Sequence, residues 1–218
     1  MFYAKTDFCR NKVIDALLRA QALGAPATWY VGLLTCNKGI VARSTAYALN
    51  DTVAVQVNSN DGDTSYHLYK VTTAGTTAAS APTTYFGVKG EAIVDGTATL
   101  TEQTAALEAG TAQVEPSGGA YARVAVAASL ANFAGTQSAG STTASTGSTG
   151  TTSNNAQVNF PTSTAAWAAA PAMVWAQALY DAASAGNCWY WIPMLTPNNV
   201  GNGVQPFIAA AGMQVTEQ

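Results

Sequence analysis

The chemistry this chain could perform is bounded first by its single histidine, His67, in the run Tyr66-His67-Leu68-Tyr69. A Ser-His-Asp arrangement needs a base held by a carboxylate and facing a nucleophile, and no nucleophile-elbow sequence accompanies this residue. His67 therefore reads as a hydrogen-bonded strand histidine. Zinc needs about four ligands with short Cys or His spacing, whereas Cys9, Cys36 and Cys188 are far apart. The run NSNDGD resembles a calcium loop through Asn58, Asn60, Asp61 and Asp63, but the sixth and twelfth positions hold Asp63 and Tyr69 in place of Gly and Glu. A hairpin turn explains these residues better. Glycosidase chemistry requires two carboxylates about 5–10 Å apart across a cleft, and nothing in the spacing of Asp95, Glu102, Glu108 and Asp181 pairs them. Phosphate-loop and dinucleotide glycine patterns are absent. The expectation is a non-enzymatic protein without metal or cofactor.

Aromatic side chains are the remaining candidates for recognition. Tyr47, Tyr66, Tyr69, Tyr85 and Phe86 gather within one stretch. Flat rings there could stack on sugar faces, which makes Tyr47, Tyr66, Tyr69 and Tyr85 candidate glycan contacts. The competing reading, and the preferred one, is cross-strand packing, because a small β-module needs its aromatics inside. Trp189, Tyr190 and Trp191 read as core or interface.

Composition narrows the class further. Only 10% of the 218 residues are charged and 48% are hydrophobic, against about 25% charged in ordinary globular domains. So few charges suit a surface covered by neighbouring subunits. The net charge of −3 argues against a nucleic-acid partner, since phosphate contacts need clustered Lys and Arg. No apolar run approaches the roughly 20 residues that span a bilayer, so membrane insertion is not expected. The run MFYAKTDFCRNKVIDALL carries charges throughout and no signal-peptide h-region, which predicts use without Sec export. Three widely spaced cysteines predict buried free thiols in place of a disulfide framework.

These residues must be carried by a mostly β chain. Thr6 or Asp7 can cap a helix running to about residue 23, with Gly24 as the stop and Pro26 beyond it. Val13, Ile14, Leu17 and Leu18 form its apolar stripe, expected to pack on the body of its own domain. TWYVGLLTC (28–36) predicts a central strand with Trp29, Val31 and Leu33 on one face and Tyr30 and Leu34 on the other. Val53, Val55 and Val57 alternate in a strand that an Asp-Gly turn joins to SYHLYKVTT, and 97–101 is another short strand. Residues 40–104 read as a small inserted β-module, with 104–117 the return linker. Strands are then expected at about 120–127, 156–161, 172–182, 187–194 and 206–217, with a helix the alternative for 172–182. This pattern predicts a mainly β fold: an antiparallel β-sandwich or jelly-roll-like main domain (1–39 and 105–218) with one N-terminal helix, plus the insert at 40–104.

Between two of these strands lies AGTQSAGSTTASTGSTGTTSNN (134–155), with no charged, aromatic or proline residue. Such a segment cannot bury enough apolar surface to offset its ordering entropy, so it reads as a flexible loop or an arm along a neighbour.

The segments VIDALLRAQALGAPATWYVGLL, GGAYARVAVAASLANFAGTQ, TTSNNAQVNFPTSTAAW and ALYDAASAGN resemble a family of bacteriophage virion proteins, tail-fibre-like or minor structural proteins. The likeness covers about two thirds of the chain. The insert, through STAYALNDTVAV, YHLYKVTTAGTTAASAPT and VDGTATL, is similar to a chitin-binding-like module of phage proteins, without that module's usual leading tryptophan near Ala42. The resemblance implies a structural subunit of the virion, assembled in the bacterial host cytoplasm. It would be either a capsid decoration protein or a tail-fibre-type subunit, partnered by major capsid or tail proteins and by copies of itself. An alternative is an adhesin whose insert binds a host surface glycan. No catalytic residues come with the resemblance.

Overall fold

The computed structural model describes residues 4–58, 64–83, 85, 87–138 and 140–216. Asn60, Asp61 and Asp63 of the calcium-loop test, the Asp-Gly turn and Phe86 lie outside the described residues. The chain opens with β1 (Ala4–Lys5), α1 (Asp7–Leu18) and β2 (Thr28–Cys36). Short strands follow: β3 (Ala46–Tyr47), β4 (Thr52–Gln56), β5 (Tyr66–Thr73), β6 (Gly75–Thr76), β7 (Ala92–Asp95) and β8 (Ala98–Glu102). After the one-turn helix α2 (Thr104–Glu108) come β9 (Val124–Ala127), β10 (Thr151–Ser153), β11 (Val158–Asn159), β12 (Met173–Tyr180), β13 (Cys188–Asn198), β14 (Phe207–Ile208) and β15 (Gln214–Thr216).

The main sheet runs in the order β1-β13-β12-β2-β9, and every pairing in it is antiparallel. In β2 the side-chain alternation works on both faces. Val31 and Leu33 join one core with Val174, Leu179 and Ile192, while Leu34 and Cys36 join another with Trp175, Ala176 and Trp191. Residues alternate sides along a strand, so a strand with apolar side chains on both faces must be covered twice. The first face is covered by the two short ladders β10–β15 and β11–β14, which bring Val158, Ile208 and Val215 onto it.

The second face meets the sheet β4-β5-β8-β7. Ala54 of β4, Leu68 of β5 and Leu107 of α2 pack with Trp175 and Trp191 in a shared core. The opposite side of β4 and β5 holds Val53, Val55, Val57, Tyr69 and Val71 in a third core with Tyr47, Tyr85 and Leu100. Trp175 and Trp191 are buried to within 1%, and truncating such a side chain costs about 3–5 kcal/mol. The fold is thus mainly β, antiparallel sheets packed in a sandwich, and no sheet among the described residues closes into a barrel.

The chain leaves β2 for this second sheet and comes back beside it. Past the end of β9, the edge of β2 is completed by other groups. Leu33 N–H donates to Tyr121 Oη at 2.9 Å, and Thr35 N–H donates to the Val114 carbonyl at 2.7 Å. The backbone polar groups of an otherwise open edge are paired in this way.

Several elements differ from expectation. α1 begins where Thr6 caps it, with Thr6 Oγ1 accepting Cys9 N–H at 3.3 Å and donating to the Cys188 carbonyl at 2.6 Å. It ends at Leu18, short of residue 23. Ala20 takes a left-handed φ of 54°, and both Arg19 and Gln21 N–H close onto the Asp15 carbonyl. Beyond the half-buried Val13 its stripe does not pack on the body: Ile14 is 51% exposed, Leu17 76% and Leu18 81%. Its first turn is anchored through Cys9, Phe8 edge-on to Trp189 and Arg10 paired with Glu108. The return segment contains α2, whose Leu107 is fully buried. β9 starts at Val124 because Ala120 has φ 63° and breaks the extended run. Residues 206–217 are split into β14 and β15 around Ala211, at φ 58°.

The Ser/Thr/Gly tract folds back on itself. Gln137 Nε2 donates to Ser141 Oγ at 2.6 Å, Thr143 Oγ1 at 2.8 Å and the Ala144 carbonyl at 3.2 Å, and its Oε1 accepts Thr146 N–H at 3.2 Å. Thr136 bonds across to Gly147 and Thr149, and Gly140 N–H reaches Asn155 Oδ1. One amide side chain organises a loop that lacks a hydrophobic centre, as in compact Ω-loops.

Candidate functional site

The tyrosines singled out as glycan contacts are divided by the fold. Tyr47, Tyr69 and Tyr85 lie in the third core at 5%, 0% and 3% exposure. Tyr69 and Tyr85 pack edge-to-face at 5.2 Å. Tyr85 OH donates to Asp95 at 2.8 Å, Tyr69 OH donates to Glu91, and Tyr47 Oη accepts Ala42 N–H at 2.8 Å. Burial, reinforced by these carboxylates, pushes the Tyr69 and Tyr85 phenols far above their ordinary range, so both stay neutral. Tyr66 is half-buried and leans on the shared core instead. Three of the four rings offer no face to solvent in this conformation.

His67 is 1% exposed, and its Nδ1 lies 3.0 Å from Glu102 Oε1. The same carboxylate receives Thr104 Oγ1 at 2.5 Å and, on its other oxygen, the N–H groups of Gly90 and Thr104 at 3.0 and 2.9 Å. The Thr104 hydroxyl donates to the acid, whereas in a nucleophile-base-acid relay the hydroxyl donates to the imidazole. Asp95, Glu108 and Asp181 are likewise engaged by donors: Arg43 and Ala78 N–H at Asp95, Arg10 and Lys89 at Glu108, Asn187 and Trp189 at Asp181. Among the described residues no group of three or more His, Cys, Asp or Glu could hold a metal ion. Cys9, Cys36 and Cys188 are buried and form no disulfide.

The densest polar arrangement is one that residue-by-residue reading missed. Arg123, from GGAYARV, donates to both oxygens of Glu115, with Nη2 at 2.5 Å, and through Nη1 to the carbonyls of Ala182 and Ala185 at 2.8 and 2.7 Å. Its guanidinium lies over the ring of Tyr180. Tyr121 OH donates to Glu115 Oε1 at 2.6 Å while accepting Leu33 N–H. The loop that Arg123 grips is YDAASAGN. There Asp181 accepts Asn187 N–H at 2.7 Å, Asn187 Nδ2 at 2.9 Å and Trp189 Nε1 at 3.3 Å, and Gly186 supplies a φ of 71°. Burial alone would raise the Asp181 carboxyl, and the Asn187 bonds outweigh it and hold it below the usual carboxylate value.

Gly32, the glycine of YVGLL, lies beneath this node. A Cβ placed there would come within 2.7 Å of Glu115 Oε1 and 3.0 Å of the Tyr180 ring. The segments VGLL, GGAYARV and YDAASAGN therefore meet at one place. All three lie in segments that carry the resemblance to phage virion proteins, which was the available signal. The arrangement holds three loops and a sheet edge; every polar group described in it is spent on another part of the chain.

These residues fall within residues 97–216 except for Gly32 and Leu33, and that span matches the family model described as podophage GP4 fiber I protein gp80, over more than half of the chain. No curated protein matches the sequence.

Proposed function

Because the chain belongs to the podophage GP4 fiber I protein gp80 family, a family of phage structural proteins of fibre type, we propose that it is a non-enzymatic fibre subunit, attached to the tail and not laid over the capsid shell. The observation that carries this reading is the Arg123 node. The side chains of these segments are consumed by backbone carbonyls and by each other, as a load-carrying scaffold requires and an active site does not. The charged fraction of 10% supports a molecule surrounded by neighbours, namely other virion proteins and further copies of itself.

Mass spectrometry and a reconstruction of purified particles test the proposal. The expected result is this chain at the tail, in a copy number matching a tail symmetry. Density over the capsid shell would overturn the fibre assignment, and absence from the particle would overturn the structural role altogether.

A further inference from the structure

The connection from α1 to β2 is at odds with its own sequence. The run RAQAL (19–23) consists entirely of strong helix formers, and Gly24 behind it is the residue type that ends a helix without strain. α1 nevertheless stops at Leu18, with Arg19 as its C-cap, and the left-handed position falls to Ala20 at φ 54°, where a Cβ is unfavourable. No packing holds the run in this shape: residues 19–25 are exposed, and the backbone of residues 22–26 makes no hydrogen bond among the described residues. A conflict between local preference and the folded path marks a segment with a second use.

The arm ahead of this hinge, residues 4–18, has a defined seat. β1 pairs with β13 through Ala4 opposite Trp191 and Lys5 opposite Tyr190, Thr6 donates to the Cys188 carbonyl, Phe8 lies edge-on to Trp189, and Arg10 pairs with Glu108. These contacts join residues 4–10 to Glu108 and to the start of β13, and none involves the connection. The arm of any other copy can make every one of them. The seat cannot stand empty at no cost, because Thr6 and Cys9 on the arm are 2% and 0% exposed and Trp189 beneath is 3% exposed.

We propose that the arm is exchanged between copies of this chain: β1 and α1 of one molecule occupy the seat on β13 of a second, and RAQAL continues α1 to Leu23. A helix over residues 7–23 would be about 26 Å long at 1.5 Å per residue and carries the chain off its own body. Because every seat contact is kept, the connection alone sets the balance between the closed and exchanged forms. Closure holds Ala20 left-handed and keeps RAQAL out of a helix; exchange relieves both and is opposed by the entropy of association. Concentration, as in a crowded particle, therefore favours exchange.

The test uses the full chain carrying Lys5→Cys with Tyr190→Cys. These positions face each other across β1 and β13, and directly opposed residues of an antiparallel pair lie about 4.5–5.5 Å apart, within reach of a disulfide. The protein is equilibrated in mild denaturant at rising concentration, returned to buffer, oxidised, and separated on a denaturing, non-reducing gel, with the bridge mapped by mass spectrometry. A closed arm gives a bridge within one chain, and an exchanged arm gives a bridge between two. The expected result is an interchain share that rises with concentration. Adding Ala20→Gly removes the strain of the closed hinge and weakens the longer helix, and should lower the association constant at least about tenfold. Position 20 is exposed, so unchanged circular dichroism checks that the fold is kept. Intrachain bridges alone at millimolar concentration overturn the proposal, and so does an associated protein whose bridges are all intrachain, which would mean side-by-side contact. Failure of the introduced thiols to join in either way, or an interchain share indifferent to Ala20→Gly, overturns it too. None of these outcomes bears on where the protein sits in the particle, which the virion reconstruction decides separately.

Discussion

The Arg123 guanidinium carbon lies 3.4 Å from the centroid of the Tyr180 ring. This stacking places a planar cation between Glu115 and the carbonyls of Ala182 and Ala185, so one side chain joins the β9 strand, the return segment and the β12–β13 loop. Its side chain is 7% exposed and that of Glu115 22%, which makes each dependent on the other. Burial alone would lower the guanidinium, and Glu115 outweighs it and keeps Arg123 above its ordinary value.

Arg123→Ala should destabilise the fold by roughly 1.5–3 kcal/mol, the cost of losing charge-assisted hydrogen bonds to a half-buried carboxylate. Arg123→Lys keeps the charge but not the planar fork, and should recover only part of that loss. Urea unfolding of the three proteins measures both. A change below about 0.5 kcal/mol for Arg123→Ala would mean the node contributes nothing to stability.

Gly32→Ala tests the same node from beneath. The added methyl meets Glu115 Oε1 and the Tyr180 ring at 2.7 and 3.0 Å, and overpacking of this kind costs about 1–3 kcal/mol. Ordinarily alanine improves on glycine within a strand, so a rise in thermal midpoint would contradict the packing described.

Glu108 gives the stability a pH dependence. Burial pushes its carboxyl up, but the hydrogen bonds and charges of Arg10 and Lys89 outweigh that and leave it below the ordinary carboxylate value. A carboxyl lowered on folding stabilises fully above its unfolded value, about 4.3, and that contribution is lost as pH falls through the lower folded value. Thermal midpoints between pH 7 and 3 should fall less steeply below pH 5 in Glu108→Gln than in the unmodified protein. Parallel curves would count against the assignment.

The thiols should be silent. Cys9, Cys36 and Cys188 are 0%, 1% and 5% exposed, and burial raises the thiols of Cys36 and Cys188. A disulfide reagent at pH 8 is expected to label none of them in the native protein and all three in guanidinium. Stoichiometric labelling without denaturant would place a cysteine at the surface.

Gln137→Ala should release the Ser/Thr/Gly loop while sparing the core, since the loop is exposed and its bonds converge on that one amide. Proteinase K is expected to cut between residues 138 and 150 several-fold faster, with global stability changed by less than about 1 kcal/mol. Equal cleavage of the two proteins would falsify the role given to Gln137.

What could be read before folding was periodicity. The two faces of β2 follow from nine residues with no charge among them, and Val53, Val55 and Val57 share a core as alternation requires. The start of α1 was legible in Thr6, because a cap is a local interaction. Its end was not, because a left-handed Ala20 has no compositional mark. The exposure of Leu17 and Leu18 escaped for a different reason: spacing tells which side chains share a face and says nothing of what covers it. The pairing of Arg123 with Ala182 and Ala185 spans some sixty positions. No spacing rule reaches that far.

The hydrogen bond from Thr35 N–H to the Val114 carbonyl closes the neck of the second sheet. Topologically, then, everything between those two residues is a detour, and a short turn could replace it without rethreading a single strand of the main sheet. Thermodynamically it is not detachable. Ala54, Leu68 and Leu107 roof Trp175 and Trp191, and a chain that dropped the detour would bare that indole pair to water. Any natural or engineered shortening at this neck must therefore arrive with a substitute roof, or with polar replacements for the two tryptophans.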